Sequence, residues 1–164
     1  MTDYFVVVPA AYVFFLRPSP ADPGADPDPG ARDVLLQLRE GTGYRDGHWA
    51  AAVAGHVEKG ESAFAAAARE AVEEIDVRDV QLTPLCAMHR TQGAAEADPI
   101  DERVDYFFAA TSWSGDPRIV EPHKCADLRW FALHDLPSPV VPHELRVLEA
   151  VRAGDVPAIL TDGF

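Results

Sequence analysis

The apolar positions of this chain fall into two rhythms. Short runs rich in β-branched and aromatic residues predict strands over Tyr4 to Arg17, Asp33 to Leu38, Trp49 to Gly55, Val80 to Arg90, Val104 to Trp113 and Leu128 to Ala132. Pro9 marks a bulge or an edge position in the first of them. The helical rhythm appears twice. Ser62 to Ile75 reads as a helix with Ser62 as its N-cap, followed by alanines. At roughly 100° per residue, Phe64, Ala68, Ala71, Val72 and Ile75 form its apolar stripe, expected to pack on the sheet. A second helix is expected from about His143 to Arg152, with Pro142 at its start.

Between these elements lie stretches that cannot bury an apolar face. Pro18 to Gly30 holds five prolines, two glycines and three aspartates, which predicts a mobile loop over 18–31. Gly41 to Gly47 is rich in turn residues, and Gly93 to Glu102 is a polar, acidic loop that could act as a lid. Strands mixed with two helices predict an α/β or α+β sandwich. At 164 residues one domain is expected, spanning 1–164.

Composition excludes some partners. Acidic residues outnumber basic ones 27 to 14, for a net charge of −13, which argues against long nucleic acid as a partner. An anionic small molecule is compatible where metal ions or local arginines offset that field. No apolar run is long enough for a membrane span, and the start of the chain lacks a basic segment and cleavage site of a signal peptide. With Cys86 and Cys125 as its two cysteines and no CxxC pair, a reduced cytoplasmic protein is expected.

The chemistry concentrates around the first helix. Glu70, Glu73 and Glu74 are neighbours on one turn and are expected opposite the apolar stripe. Like charges this close repel and raise one another's pKa, unless a hard cation such as Mg²⁺ takes their oxygens. Arg69 can pair with Glu61 and tie the preceding loop to the helix. A solvated acidic face is the plain alternative for two or three glutamates alone.

Spacing decides between these. Gly55, Glu61, Arg69, Glu70, Glu73 and Glu74, with apolar Ala71 and Val77, resemble the Nudix box G-x5-E-x7-R-E-U-x-E-E-x-G-U, U being apolar. Six fixed matches arise by chance in about one chain in 10⁵. Asp76 stands where the box has its last glycine, and Val53-Ala54-Gly55 replaces the Pro-Gly-Gly of many relatives. Asp tolerates the left-handed conformation that this glycine adopts. Trp113-Ser-Gly-Asp-Pro117 looks like the W-x-G-x-P turn of MutT-type members, and Trp130-Phe131 with Leu136-Pro137 resembles the family's closing strand and turn.

The resemblance implies an α/β/α sandwich around a mixed sheet and a hydrolase that cuts a diphosphate linkage in a nucleoside triphosphate or a nucleoside diphosphate joined to a moiety X. It implies Mg²⁺, or Mn²⁺, held by Glu70, Glu73, Glu74 and the Gly55 carbonyl. Glu73, Glu121 or Glu70 would serve as catalytic carboxylate; Glu121 reads equally as a loop glutamate. Arg39, Arg90 and Trp49 are the candidate substrate-binding residues, with Arg45 and Lys124 as further phosphate partners. Tyr44, Phe107 and Trp49 could stack on a base, although core packing is their commoner use. A lone His56 reads as structural, and no purine-selecting Asn or Asp follows Leu136-Pro137. Two other readings stand: a nucleotide-sensing domain without catalysis, and an isoprenyl-diphosphate isomerase using a cysteine. A homodimer is compatible with the sequence.

Overall fold

The computed structural model describes residues 4–20, 23–24, 28, 30–93 and 98–164. Its elements are β1 (Val8–Pro18), β2 (Arg32–Arg39), β3 (Trp49–Ala51), β4 (Val53–His56), α1 (Ala63–Ile75), β5 (Leu82–Arg90), a 3-10 turn (Pro99–Asp101), β6 (Arg103–Ala110), β7 (Cys125–Ala132), α2 (Pro142–Ala153) and β8 (Ile159–Asp162). Much of the loop expected over 18–31, and the middle of the expected lid, lie outside the described residues.

Strand β1 organises the sheet because its two sides meet two helices. Ala10, Tyr12, Phe14 and Leu16 enter the core cluster that contains Val147 and Leu148 of α2. The residues between them, Ala11, Val13 and Phe15, enter the cluster with Ala66, Ala67, Ala71 and Ile75 of α1. A strand with apolar residues at every position is the one that must be covered on both faces. The architecture is therefore an α/β/α sandwich with a mixed sheet. β1 runs parallel to β6 and antiparallel to β4, and its last residues pair with β2. β5 extends the sheet beyond β6, and β8 pairs parallel to β5. β7 lies on the other side, against β2.

Three features differ from the sequence expectation. Pro9 is neither a bulge nor an edge residue: it sits at the second position of an interior strand, just before the ladder to β4 begins at Ala10. The single strand expected over Trp49 to Gly55 is broken at Ala52, so β3 pairs with β2 and β4 with β1. Gln37, buried in β2, donates its amide to the Ala51 carbonyl at 3.0 Å and satisfies the backbone at this break. β8, which follows α2, was not anticipated.

Candidate active site

Helix α1 is fixed at both ends by its own sequence. The Ser62 hydroxyl accepts the Ala65 N–H at 3.1 Å. Asp76 closes the helix in the left-handed region, at φ 56° and ψ 39°, and its backbone N–H reaches the Ala71 and Val72 carbonyls. The face it buries matches the expected stripe only at Ala71 and Ile75. Phe64 and Ala68 are exposed, while Ala66, Ala67, Ala71 and Ile75 are buried and Glu70 and Glu74 lie on the same half-turn, turned toward the sheet. Small alanines let α1 approach the strands closely, which carries the two glutamates inward.

Glu74 is the deepest of them. It accepts the Ala54 N–H at 2.8 Å, and burial, followed by the charges of Glu70 and Glu121, pushes its pKa up to about 8. Glu70 packs directly on β4: a Cβ added to Gly55 would lie 2.1 Å from the Glu70 carboxyl carbon. Glycine at 55 is thus what makes room for that carboxylate. Burial raises the pKa of Glu70 as well, against the opposing pull of Arg69. Glu73 points outward and is more than half exposed.

Arg69 ties these parts together. It donates to both Glu61 oxygens at 2.8 and 3.2 Å, to Glu70 at 2.8 Å, to Glu73 at 3.1 Å and to the His56 carbonyl at 3.1 Å. Glu61 in turn accepts the Glu58 N–H at 2.7 Å, so the loop between β4 and α1 is fastened to the helix. These bonds hold the Glu61 carboxyl below its ordinary pKa, with the Arg69 hydrogen bond the largest cause.

The segment after β6 brings a fourth carboxylate. Trp113 stacks on Trp130 at 6.0 Å and meets Phe15 edge-on at 5.1 Å. Gly115, at φ 96°, passes so close to Asp76 that a Cβ there would lie 3.2 Å from its carbonyl oxygen. The Arg118 and Val120 N–H groups then cap the Ile75 and Glu74 carbonyls at 3.1 and 3.3 Å. Glu121 is thereby placed within charge range of Glu74, and both its oxygens accept from Lys124, at 2.9 and 3.1 Å.

As the side chains stand, no three carboxylate, imidazole or thiol groups among the described residues converge as a ready metal cluster. Arg69 and Lys124 hold Glu70, Glu73 and Glu121 instead. The donor set nonetheless suits a hard divalent cation: all its groups are oxygens, two carboxylates face inward with raised pKa values, and Gly55 makes room for the Glu70 carboxylate against the backbone.

On the α2 side of β4 lies a cavity of about 520 Å³. Arg39, Arg90, Arg103, Tyr44 and Glu144 line it, and it reaches Gly55 and His56. Two of the three expected substrate-binding residues, Arg39 and Arg90, are therefore brought together here. Trp49 is placed elsewhere, edge-on to Phe131 at 4.6 Å and with the Arg129 guanidinium over its ring at 5.6 Å. Phe107 is buried in the core against Tyr12 and Phe14. Arg103, Tyr12 and Glu144 were missed from sequence, since nothing in their spacing brings them to the same wall.

A family model described as NUDIX domain matches residues 25–151, more than half of the chain. The chain belongs to the NUDIX family. Solved NUDIX structures resemble it over most of its length. A MutT NUDIX hydrolase from Burkholderia pseudomallei is 29% identical, with a TM-score of 0.62, covering 86% of this chain and 98% of its own. The NUDIX domain of Shewanella oneidensis NrtR, solved with ADP ribose, is 18% identical at a TM-score of 0.68, covering 92% of this chain and 90% of its own. A UDP-X diphosphatase is 17% identical at a TM-score of 0.63, covering 97% and 69%. The last two likenesses concern the fold. No curated protein matches the chain. NUDIX hydrolases are generally pyrophosphohydrolases that use divalent metal ions. No helix among the described residues of this NUDIX chain is long and apolar enough to cross a membrane. Cys86 lines a separate apolar groove with Phe64 and Tyr106, which none of Glu70, Glu73 and Glu74 lines, and burial pushes its thiol up to about 11.

Proposed function

We propose that this protein is a metal-dependent pyrophosphohydrolase acting on a nucleoside triphosphate or on a nucleoside diphosphate linked to a moiety X. The observation that carries this reading is the inward placement of Glu70, in the space that a side chain at Gly55 would fill, and of Glu74, which accepts the Ala54 N–H. A solvated acidic face would place these side chains in water, and these two are not there.

Glu70, Glu73, Glu74 and the Gly55 carbonyl would hold Mg²⁺ or Mn²⁺. The bound ion would offset the diphosphate charge and lower the pKa of a bound water. Arg69 fastens the loop between β4 and α1 to the helix through Glu61 and the His56 carbonyl, and would release Glu70 and Glu73 to the ion. The cavity lined by Arg39 and Arg90 accommodates the rest of the substrate. One carboxylate among Glu73, Glu121 and Glu70 accepts the proton of the attacking water. No nucleophilic side chain is required, since phosphoryl transfer rests on positioning and charge stabilisation.

Incubation with a panel of nucleoside triphosphates and nucleoside diphosphate derivatives plus Mg²⁺ tests the reading, and at least one should release a nucleoside monophosphate. Glu73→Gln and Glu74→Gln should each lower kcat by about 10² or more with the far-ultraviolet spectrum unchanged. Full activity in both variants would remove these residues from the site.

A further inference from the structure

The 520 Å³ cavity beside β4 concentrates positive charge in a chain whose net charge is −13. Arg39, Arg90 and Arg103 all line it. Each guanidinium is held from its Nε side. Arg90 and Arg103 donate Nε to the fully buried Asp105 at 2.8 and 3.2 Å, and Arg39 donates Nε to the Tyr44 carbonyl at 2.9 Å. Thr42 takes Arg39 Nη2 and His56 takes Arg103 Nη1. Among the described residues, Arg39 Nη1, both terminal nitrogens of Arg90, and Arg103 Nη2 have no partner. A buried guanidinium with free terminal N–H groups is a prepared donor for an anion.

Asp105 offsets only one of the three charges, and Glu144 on the same wall has its pKa pushed up to about 7 by burial, so it opposes them weakly in acid. The excess is felt nearby: the buried His143 is held at about 3, first by burial and then by Arg90, Arg103, Arg45 and Arg39. Its Nε2 is buried without a hydrogen-bond partner.

We propose that this cavity, which opens beside Gly55 and the metal position, holds an anion subsite that takes a phosphate or carboxylate group carried elsewhere on the substrate. Arg39, Arg90 and Arg103 are its ligands, and Tyr44 supplies an aromatic wall. The proposal rests on the hydrolase reading for its substrate, but the subsite can be measured without turnover.

Titration with inorganic phosphate on metal-stripped protein, with no chelator present and at fixed ionic strength, reads the subsite without the metal. Saturable binding should weaken at least about tenfold in Arg39→Gln and in Arg103→Gln. Arg39 bonds to Tyr44 and Thr42 rather than to Asp105, so its variant tests the site while the buried ion pairs of Arg90 and Arg103 stay intact. Matched pairs then identify the group: NADP⁺ against NAD⁺ for phosphate, and UDP-glucuronate against UDP-glucose for carboxylate. With Mg²⁺, the acidic member of one pair should show a KM at least about tenfold lower, a ratio that collapses in Arg39→Gln. Phosphate that fails to bind, or binds wild type and both variants alike, overturns the subsite, as do equal KM values within both pairs. If no compound is cleaved, the hydrolase reading falls, while the phosphate titration still decides the subsite.

Discussion

Gly55 has no side chain, and that absence does two things at one point. It lets β4 pass over α1, and it leaves the Glu70 carboxylate the volume that a methyl group would take. The close atoms belong to the far end of a flexible side chain, so in Gly55→Ala the glutamate would swing away and the backbone would hold. Divalent metal affinity should fall by about 10- to 100-fold while stability changes by about 1 kcal/mol or less, read by calorimetry and urea unfolding. Unchanged metal affinity would show that Glu70 needs no such space. Glu144 lends itself to a different test. Its ordinary pKa of 4.5 is pushed to about 7 in the folded chain, chiefly by burial. The folded state therefore holds the proton more tightly. Stability from this group is complete below about pH 4.5 and is lost as pH rises through about 7, a loss of roughly 3 kcal/mol. Glu144→Gln keeps an oxygen for the Ala51 N–H but cannot ionise. Its stability relative to wild type should therefore grow between pH 5 and pH 8 in urea unfolding. His143 works in the opposite direction. Its neutral form is favoured in the fold, so its contribution is present above about 6.5 and lost as pH falls toward 3.

Within helix α1 the ends were legible and the face only in part, since Ala71 and Ile75 of the expected stripe are buried while Phe64 and Ala68 are not. The serine at 62 and the aspartate in the glycine position at 76 act as their chemistry dictates, one accepting an N–H and the other adopting the left-handed region. Ser62→Ala should cost about 1 kcal/mol. At position 76, Gly should be near neutral, since relief of the left-handed strain is set against the exposed pairs to Arg78 and Arg118. Val should cost about 1–2 kcal/mol, and thermal melts of the three variants check the order. The remainder of the packing face was misjudged because periodicity ranks positions by hydrophobicity alone. Phe64 is the largest apolar side chain on the helix, yet it is half exposed and tilted on Phe108. The small alanines at 66, 67 and 71 set how close the helix comes, and closeness is what places Glu70 and Glu74. The box glutamates could be picked out by spacing, and their direction followed only from packing.

At the scale of the whole molecule, strand identity was read from apolar runs, while pairing order depends on contacts between distant segments. The break at Ala52 and the addition of β8 are of this kind, since neither Gln37 nor Ile159 advertises its partner locally. The cavity shares that origin. Arg39 comes from β2, Arg90 from β5, Arg103 from β6 and Glu144 from α2, and the sheet order alone makes them neighbours. Global charge offers the last test. A chain carrying −13 repels itself, so added NaCl should raise Tm modestly by screening. MgCl2 at matched ionic strength should raise it further, because an ion that binds only the folded state stabilises by RT ln(1 + [L]/Kd). At 100 times Kd the added stability is about 2.7 kcal/mol. General attraction of Mg²⁺ to an acidic surface would survive the loss of one or two carboxylates among 27. Binding at the inward pair would not. The double variant Glu70→Gln with Glu74→Gln should therefore keep the NaCl response and lose the extra Mg²⁺ response. If it retains both, the ion is held by the surface at large rather than by the turn beside Gly55.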